Sequence, residues 1–165
     1  MDGLFYLIEM NIKSVLKVLT SLFFPVLMMA QSNPDSLMNQ WHRAASRADF
    51  HGYFNLTTDD FIFLGTAPGE RWVRSEFEAF SKPYFDRGKA WDFKPSNRKW
   101  VYSENGKTAW FDEDLDTWMR GCRGSGILIK KRGKWKLAYY NLTVLIENEK
   151  MKEFIELRDA PNPEK

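Results

Sequence analysis

The hydrophobic period of this chain changes once, near Lys89, and that change restricts the fold more than any single motif. Before it, Leu37, Met38, Trp41, Ala44, Ala45 and Ala48 recur at three- and four-residue steps, one apolar stripe of a helix expected from Asn33 or Ser32 to about Ala48. Pro34 and Asp35 fall in its first turn, where a missing N–H is harmless and a carboxylate meets the positive end of the helix dipole. His42, beside Trp41, is expected at the rim. Asp49 caps a short second helix, Phe50 to Phe54. Asp60 to Gly65 reads as a buried strand, and Gly65 to Gly69 as a loop. Ser75-Glu76-Phe77-Glu78 has the spacing of a capping box for a third helix, which Pro83 interrupts and Gly88 ends. After Lys89 the period is two, with strands expected at 90–94, 99–103, 107–118, 121–131 and 134–145. Asn105-Gly106 is the stronger hairpin signal, since a type I′ turn needs positive φ at both positions, and Arg132-Gly133 the weaker. Helices first and sheet second make an α+β arrangement. A tail helix is expected from Glu147 to Leu157, with 158–165 fraying.

At 165 residues, 44% of them apolar, the chain has enough core for one domain. Its formal charge of +2, with basic and acidic residues interspersed, leaves no nucleic-acid footprint. The basic cluster Lys130 to Lys134 falls on a hairpin turn and reads as a solvated turn. The N-terminus differs in kind. Lys13 and Lys17 precede the apolar run Val18 to Ala30, and the chain turns polar at Gln31, the layout of a secretory signal peptide. The expectation is a signal over residues 1–30, with Met10 as a possible true start, and an exported domain over 31–157 with no stable membrane span after cleavage. An uncleaved anchor or a buried N-terminal helix is the alternative. Cys122 is the only thiol, so no intramolecular disulfide forms. His42, His51 and Cys122 show no ligand spacing for a metal, and neither a nucleophile elbow nor a phosphate-cradling glycine motif is present, so no cofactor is expected.

The segment Lys107 to Asp116 sets four acids among apolar neighbours, although acids gain little on a half-buried pleated surface. As a strand it puts Trp110, Asp112, Asp114 and Asp116 on one face and Ala109, Phe111, Glu113 and Leu115 on the other. The second face reads as core with one buried acid. Asp112 or Glu113 inside a cavity would have its pKa raised by desolvation and become a candidate proton carrier, whereas a guanidinium, with Arg123 on the next strand as the expected partner, would hold it ionised. Glu70-Arg71-Trp72 follows a buried strand, where loops line pocket mouths or anchor themselves. Most of the many aromatic side chains are core, and a few line an apolar cavity.

This order of elements resembles the nuclear transport factor 2-like superfamily, in its SnoaL-like bacterial branch, over about Ser36 to Ile146. The resemblance is carried by Trp41 with Ala44-Ala45 and Ala48-Asp49, Gly65-Thr66 with Glu70-Arg71-Trp72, Ala109 to Glu113, Arg123-Gly124-Ser125-Gly126 and the Gly133-Lys134-Trp135 turn. It implies helices packed in the concavity of a strongly curved antiparallel sheet, a cone-shaped α+β barrel whose open end is a pocket. The candidate ligand-binding residues are then Glu70, Arg71, Trp72, Trp110, Asp112, Arg123, Tyr139 and Asn141, with Asp112 or Glu113 as candidate acid/base. Relatives often carry His where this chain has Asn141, and Asn cannot exchange a proton near neutral pH. Because this scaffold hosts many functions, three readings stay open. They are an exported domain binding a small, partly apolar molecule, a cofactor-free isomerase or dehydratase, and a module that forms a homodimer through its sheet face.

Overall fold

The computed structural model describes residues 33–160. The expected signal segment, Met10 and the last five residues lie outside that range. Helix α1 (Pro34–Ser46) begins where the Asn33 side chain accepts a hydrogen bond from the Asp35 N–H at 2.9 Å, and its stripe buries Leu37, Met38, Trp41, Ala44 and Ala45. Asp49 caps α2 (Phe50–Asn55) through the Gly52 N–H at 2.8 Å. Strand β1 (Thr57–Leu64), a loop and the three-residue β2 (Arg71–Val73) lead into α3 (Arg74–Asp86). The expected Ser75–Glu78 capping box does not form, because the helix starts two residues earlier with Val73 at its N-cap, whose side chain cannot accept a hydrogen bond. Glu76 reaches back to the Val73 N–H at 3.1 Å, while Glu78 pairs with Arg74 at 2.8 Å. Pro83 stays within α3, which ends before Gly88 at φ 70°.

Four long strands follow, β3 (Lys94–Tyr102), β4 (Thr108–Thr117), β5 (Arg120–Lys131) and β6 (Lys134–Val144). A 3₁₀ turn (Asn148–Lys150) and helix α4 (Met151–Asp159) close the described chain. The strand expected at 90–94 does not form, and β3 begins only at Lys94. Trp91 and Phe93 pack against the core from an extended segment outside any ladder. The six strands form one curved, unclosed sheet in the order β2-β1-β6-β5-β4-β3. Every pairing is antiparallel except β1 with β6, which run parallel. Helices α1 to α3 fill its concave side, and the core is the aromatic-rich layer between them, with Tyr53, Phe61, Phe77 and Tyr140 fully enclosed. No described helix is long and apolar enough to cross a membrane.

The two hairpin turns exchange roles relative to expectation. Arg132 (φ 51°) and Gly133 (φ 80°) are both left-handed, and Lys131 pairs with Lys134, so this is the two-residue turn. At Asn105-Gly106 only Gly106 has positive φ, and the Ser103 N–H reaches Thr108 across a four-residue loop. The Asn105 side chain explains the difference. Its oxygen accepts from the Lys107 N–H and the Ser103 hydroxyl, which holds a wider local turn.

Two ladder irregularities matter for the interior. In β3, Ser96 faces Asp114 and Lys99 faces Asp112, so Asn97 and Arg98 together oppose Glu113. Asn97 takes φ 52°, a region Asn tolerates, and steadies it with a 3.0 Å bond to the Asp114 carboxylate. In β6, Ile127 faces Tyr139 but Leu128 faces Leu137, leaving Ala138 as the extra residue. An extra residue reverses which face later side chains take, so Trp135 and Leu137 point inward before the bulge and Tyr140 and Leu142 after it.

Candidate functional site

Glu113 on β4 has a fully enclosed side chain, and an ionised carboxylate so placed must find partners. It finds three. Arg98, aimed inward by the β3 bulge, donates Nε to Oε2 at 2.8 Å, with Nη2 at 2.7 Å from the same oxygen. His42 of α1 places Nε2 at 2.8 Å from Oε1, and the Tyr140 hydroxyl donates to Oε1 at 2.9 Å. Behind Arg98, Asp35 accepts from Nη1 at 2.7 Å and from the Trp100 indole at 3.2 Å. Gly124 on β5 leaves the room for this cluster. A Cβ there would stand 2.2 Å from the Tyr140 hydroxyl and 2.9 Å from Glu113 Oε1.

Burial acts to raise the Glu113 pKa, but the hydrogen bond and charge of His42 and the charge of Arg98 outweigh it and hold the carboxyl below its ordinary range. Asp35 is likewise lowered, its burial outweighed by Arg98 and Trp100. Burial pushes the Tyr140 phenol well up, and the Glu113 charge pushes it further, so Tyr140 stays a neutral donor. Glu113 is thus an ionised anchor with both oxygens engaged.

Beside this cluster lies a cavity of about 210 Å³, and Tyr140 is the residue the two share. Phe77, Phe80 and Tyr84 come to it from α3, and Trp72 from β2. Trp91 and Phe93 come from the extended segment, and Trp118 and Met119 from the β4–β5 turn. The rings lean on one another, with Phe63 stacked on Phe77 at 4.1 Å and Trp72 on Phe80 at 4.6 Å. Thr66 and Glu70 of the β1–β2 loop add polar groups. Glu70 is held in place by that loop, because Oε2 accepts from the Ala67 N–H at 2.9 Å and its own carbonyl accepts from the Gly65 N–H at 2.9 Å. A Cβ on Gly65 would meet Glu70 Oε2 at 2.2 Å, so glycine there lets the carboxylate fold back. Glu113 is not among the lining residues. Among the described residues no group of three or more His, Cys, Asp or Glu side chains is placed to hold a metal ion.

Of the residues expected at the pocket, Glu70 and Trp72 line the cavity. Arg71, Trp110, Asp112, Arg123, Tyr139 and Asn141 lie on the opposite, outer face of the sheet. The pairing of Asp112 or Glu113 with Arg123 does not form. Asp112 stands exposed between Lys99 and Ser125, and Arg123 lies between Asp114 and Thr143. Tyr139 and Asn141, candidates for the pocket, face outward because the Ala138 bulge shifts the alternation after Leu137 by one residue. Asn141 instead bonds the Thr143 hydroxyl at 3.1 Å. His42, expected at the rim, is only 5% exposed and bonded to Glu113. Sequence reasoning missed Arg98 altogether. The available signal was Asn97, a residue suited to the left-handed bulge position next to it.

The lowered Glu113 and Asp35 pKa values fix the sign of an acid dependence. A carboxylate with a lower pKa in the folded state contributes stability above its unfolded pKa of about 4.3 and loses it as pH falls through the folded value. Urea midpoints should therefore be level above about pH 5 and fall below it. Glu113→Gln should cost about 3 kcal/mol at pH 7, because Arg98 loses a buried partner, and the variant should show a shallower acid decline. Equal acid slopes in the two proteins would contradict this account of Glu113.

The profile of the SnoaL-like domain matches residues 35–147. No curated protein matches the chain. Among solved structures, it is similar to an NTF2-like protein of unknown function from Pseudomonas putida KT2440, at 14% identity and TM-score 0.60, covering 74% of this chain and 91% of that one. It is similar to an NTF2-like protein from Cytophaga hutchinsonii at 18% identity and TM-score 0.56, covering 66% and 93%. A candidate ketosteroid isomerase from Shewanella frigidimarina shares 13% identity at TM-score 0.53, covering 64% and 90%. At these identities the likeness is one of fold. With more than half its length matched by the family profile, and with a fold like that of the NTF2-like structures, the chain belongs to the SnoaL-like domain family.

Proposed function

We propose that this chain is an exported domain that binds a small, partly apolar molecule in the aromatic cavity without transforming it. The observation that supports this is the separation of the cavity from the buried carboxylate. The cavity offers ring faces and few polar groups, the usual makeup of a small-molecule site. Glu113, the buried acid joined to the cavity wall through Tyr140, has both oxygens committed to Arg98, His42 and Tyr140. Asp112, the other candidate base, faces solvent on the far side of the sheet. An acid/base mechanism through either residue therefore has nothing to draw on.

Native mass spectrometry of protein purified under gentle conditions should show a small molecule held at one per chain. Phe80 is 41% exposed and stacked on Trp72, so Phe80→Arg places a charged chain at the opening with little effect on the core. That variant should lose the molecule while its melting temperature stays within a few degrees of the wild type. Retention of the molecule by Phe80→Arg would place binding elsewhere.

Export rests on the basic and apolar N-terminal pattern of the sequence. N-terminal sequencing of protein from its native source should give a start near Gln31, and an intact chain recovered from the cytosol would reject it.

A second reading, homodimerisation, is favoured by the outer sheet face. Val101, Trp110, Ile127, Tyr139, Ile62 and Val73 stand opposite one another in successive strands, one apolar row crossing the whole sheet. Val101, Trp110, Ile127 and Val73 are each exposed. Such a continuous row suits a self-complementary contact between two copies. Sedimentation at micromolar concentration should give twice the chain mass, and Trp110→Glu with Ile127→Lys should return it to a monomer that still binds at the cavity. A wild-type monomer at that concentration would remove this reading.

A further inference from the structure

We propose that the cavity selects an organic cation, a small amine or quaternary ammonium carried on an apolar body. This rests on the cavity being a binding site and goes further by naming the ligand's charge. Among the described residues Glu70 is the only lining residue with a formal charge, and no Lys, Arg or His among them lines the space. Its carboxylate is oriented by the Ala67 N–H through Oε2, and that is its one hydrogen bond among the described residues, which leaves Oε1 for a ligand. The walls are aromatic faces, whose negative potential attracts a cation brought within about 6 Å of a ring centroid. Tyr84 already takes a cation in this way, with the Arg87 guanidinium 4.8 Å from its centroid.

The balance of charge points the same way. An anionic ligand needs a basic side chain to offset its charge once desolvated. The Tyr140 proton is committed to Glu113, the Gly65 N–H to the Glu70 carbonyl and the Ala67 N–H to the Glu70 carboxylate, which leaves only neutral donors such as the buried Trp41 indole N–H and the Thr66 hydroxyl. The nearest guanidinium in the interior, Arg98, is spent on Glu113 and Asp35, and Arg71 lies on the outer face. A cation meets the opposite conditions, a carboxylate oxygen and a shell of rings. The volume of about 210 Å³ lies below the ~300–1,000 Å³ of drug-sized pockets, which suits a body of one ring. A phosphocholine headgroup would bring a phosphate that no basic side chain among the described lining residues can offset, so the free cation is the better fit.

The test uses three probes of one shape with the full chain, followed by tryptophan fluorescence. Benzyltrimethylammonium is the cation, neopentylbenzene its neutral isostere and phenylmethanesulfonate an anion of like size. The cation should bind at least tenfold tighter than the neutral probe, the anion should bind more weakly than either, and phosphocholine should bind more weakly than benzyltrimethylammonium. Glu70→Gln keeps an oxygen for the Ala67 N–H and should erase most of the cation's advantage while leaving neopentylbenzene binding unchanged. A neutral probe that binds as tightly as the cation overturns charge selection and leaves the apolar cavity reading intact. Saturable binding by none of the probes overturns both. Tightest binding by the anion or by phosphocholine, or a cation preference that survives Glu70→Gln, also overturns the proposal, and the wild-type comparison decides even if the variant fails to fold.

Discussion

A buried carboxylate is the constraint around which this interior is arranged. Glu113 sits among rings, where an ionised group alone would cost several kcal/mol, and each of its partners reaches it by a separate local device. A left-handed Asn97 turns Arg98 inward, an extra Ala138 turns Tyr140 inward, and the α1 stripe brings His42 within reach. Gly124 keeps the intervening strand out of their way. These devices lie on three strands and one helix around Glu113 on a fourth strand, so the cluster ties the concave face of the sheet to α1. Partly satisfied networks of this kind are worse than none, which makes the set interdependent.

The arrangement also divides labour. Tyr140 belongs to both the polar cluster and the aromatic cavity, and its proton is held by the cluster. Among its polar groups the cavity therefore has an oxygen without a proton to offer, the Thr66 hydroxyl, the unpartnered Trp41 indole N–H and the Glu70 carboxylate, set among ring faces. Stacks such as Phe63 on Phe77 and Trp72 on Phe80 brace those walls with contacts that are individually small and collectively rigid. A space lined in this way keeps its shape whether or not it is filled, which limits the ordering cost that binding must overcome.

Much of the fold could be read from residue spacing, and the site much less so. The α1 stripe, the Asp49 cap and the inward face of β4 are local patterns, and they hold because burial and backbone geometry act over a few residues. The family could be recognised because the order of such patterns survives at low identity. The outward placement of Tyr139 and Asn141 could not be read, since a bulge shifts parity by one and Ala138 carries no mark that would reveal it. Arg98 follows the same rule on β3, where it falls between the strands expected at 90–94 and 99–103. The carboxylate's true partners are thus set by irregularities in pairing, which depend on the facing strand as much as on the residues themselves.

The parallel pairing of β1 with β6 carries a consequence for how the chain comes to be folded. Thr57 and Ile62 find their neighbours in Leu137 and Tyr139, about 80 residues downstream, so the first strand has no inner edge to join until the last has been made. During synthesis the helices and β1 precede the whole meander, and long loop closure must come before that pairing is rewarded. The β2–β1 hairpin is thus held in waiting, with its apolar residues uncovered, while β3 to β6 can assemble as a local antiparallel unit. The inner edge of β1 therefore waits for the last strand of the sheet, whereas its outer edge is closed by β2 within a few residues.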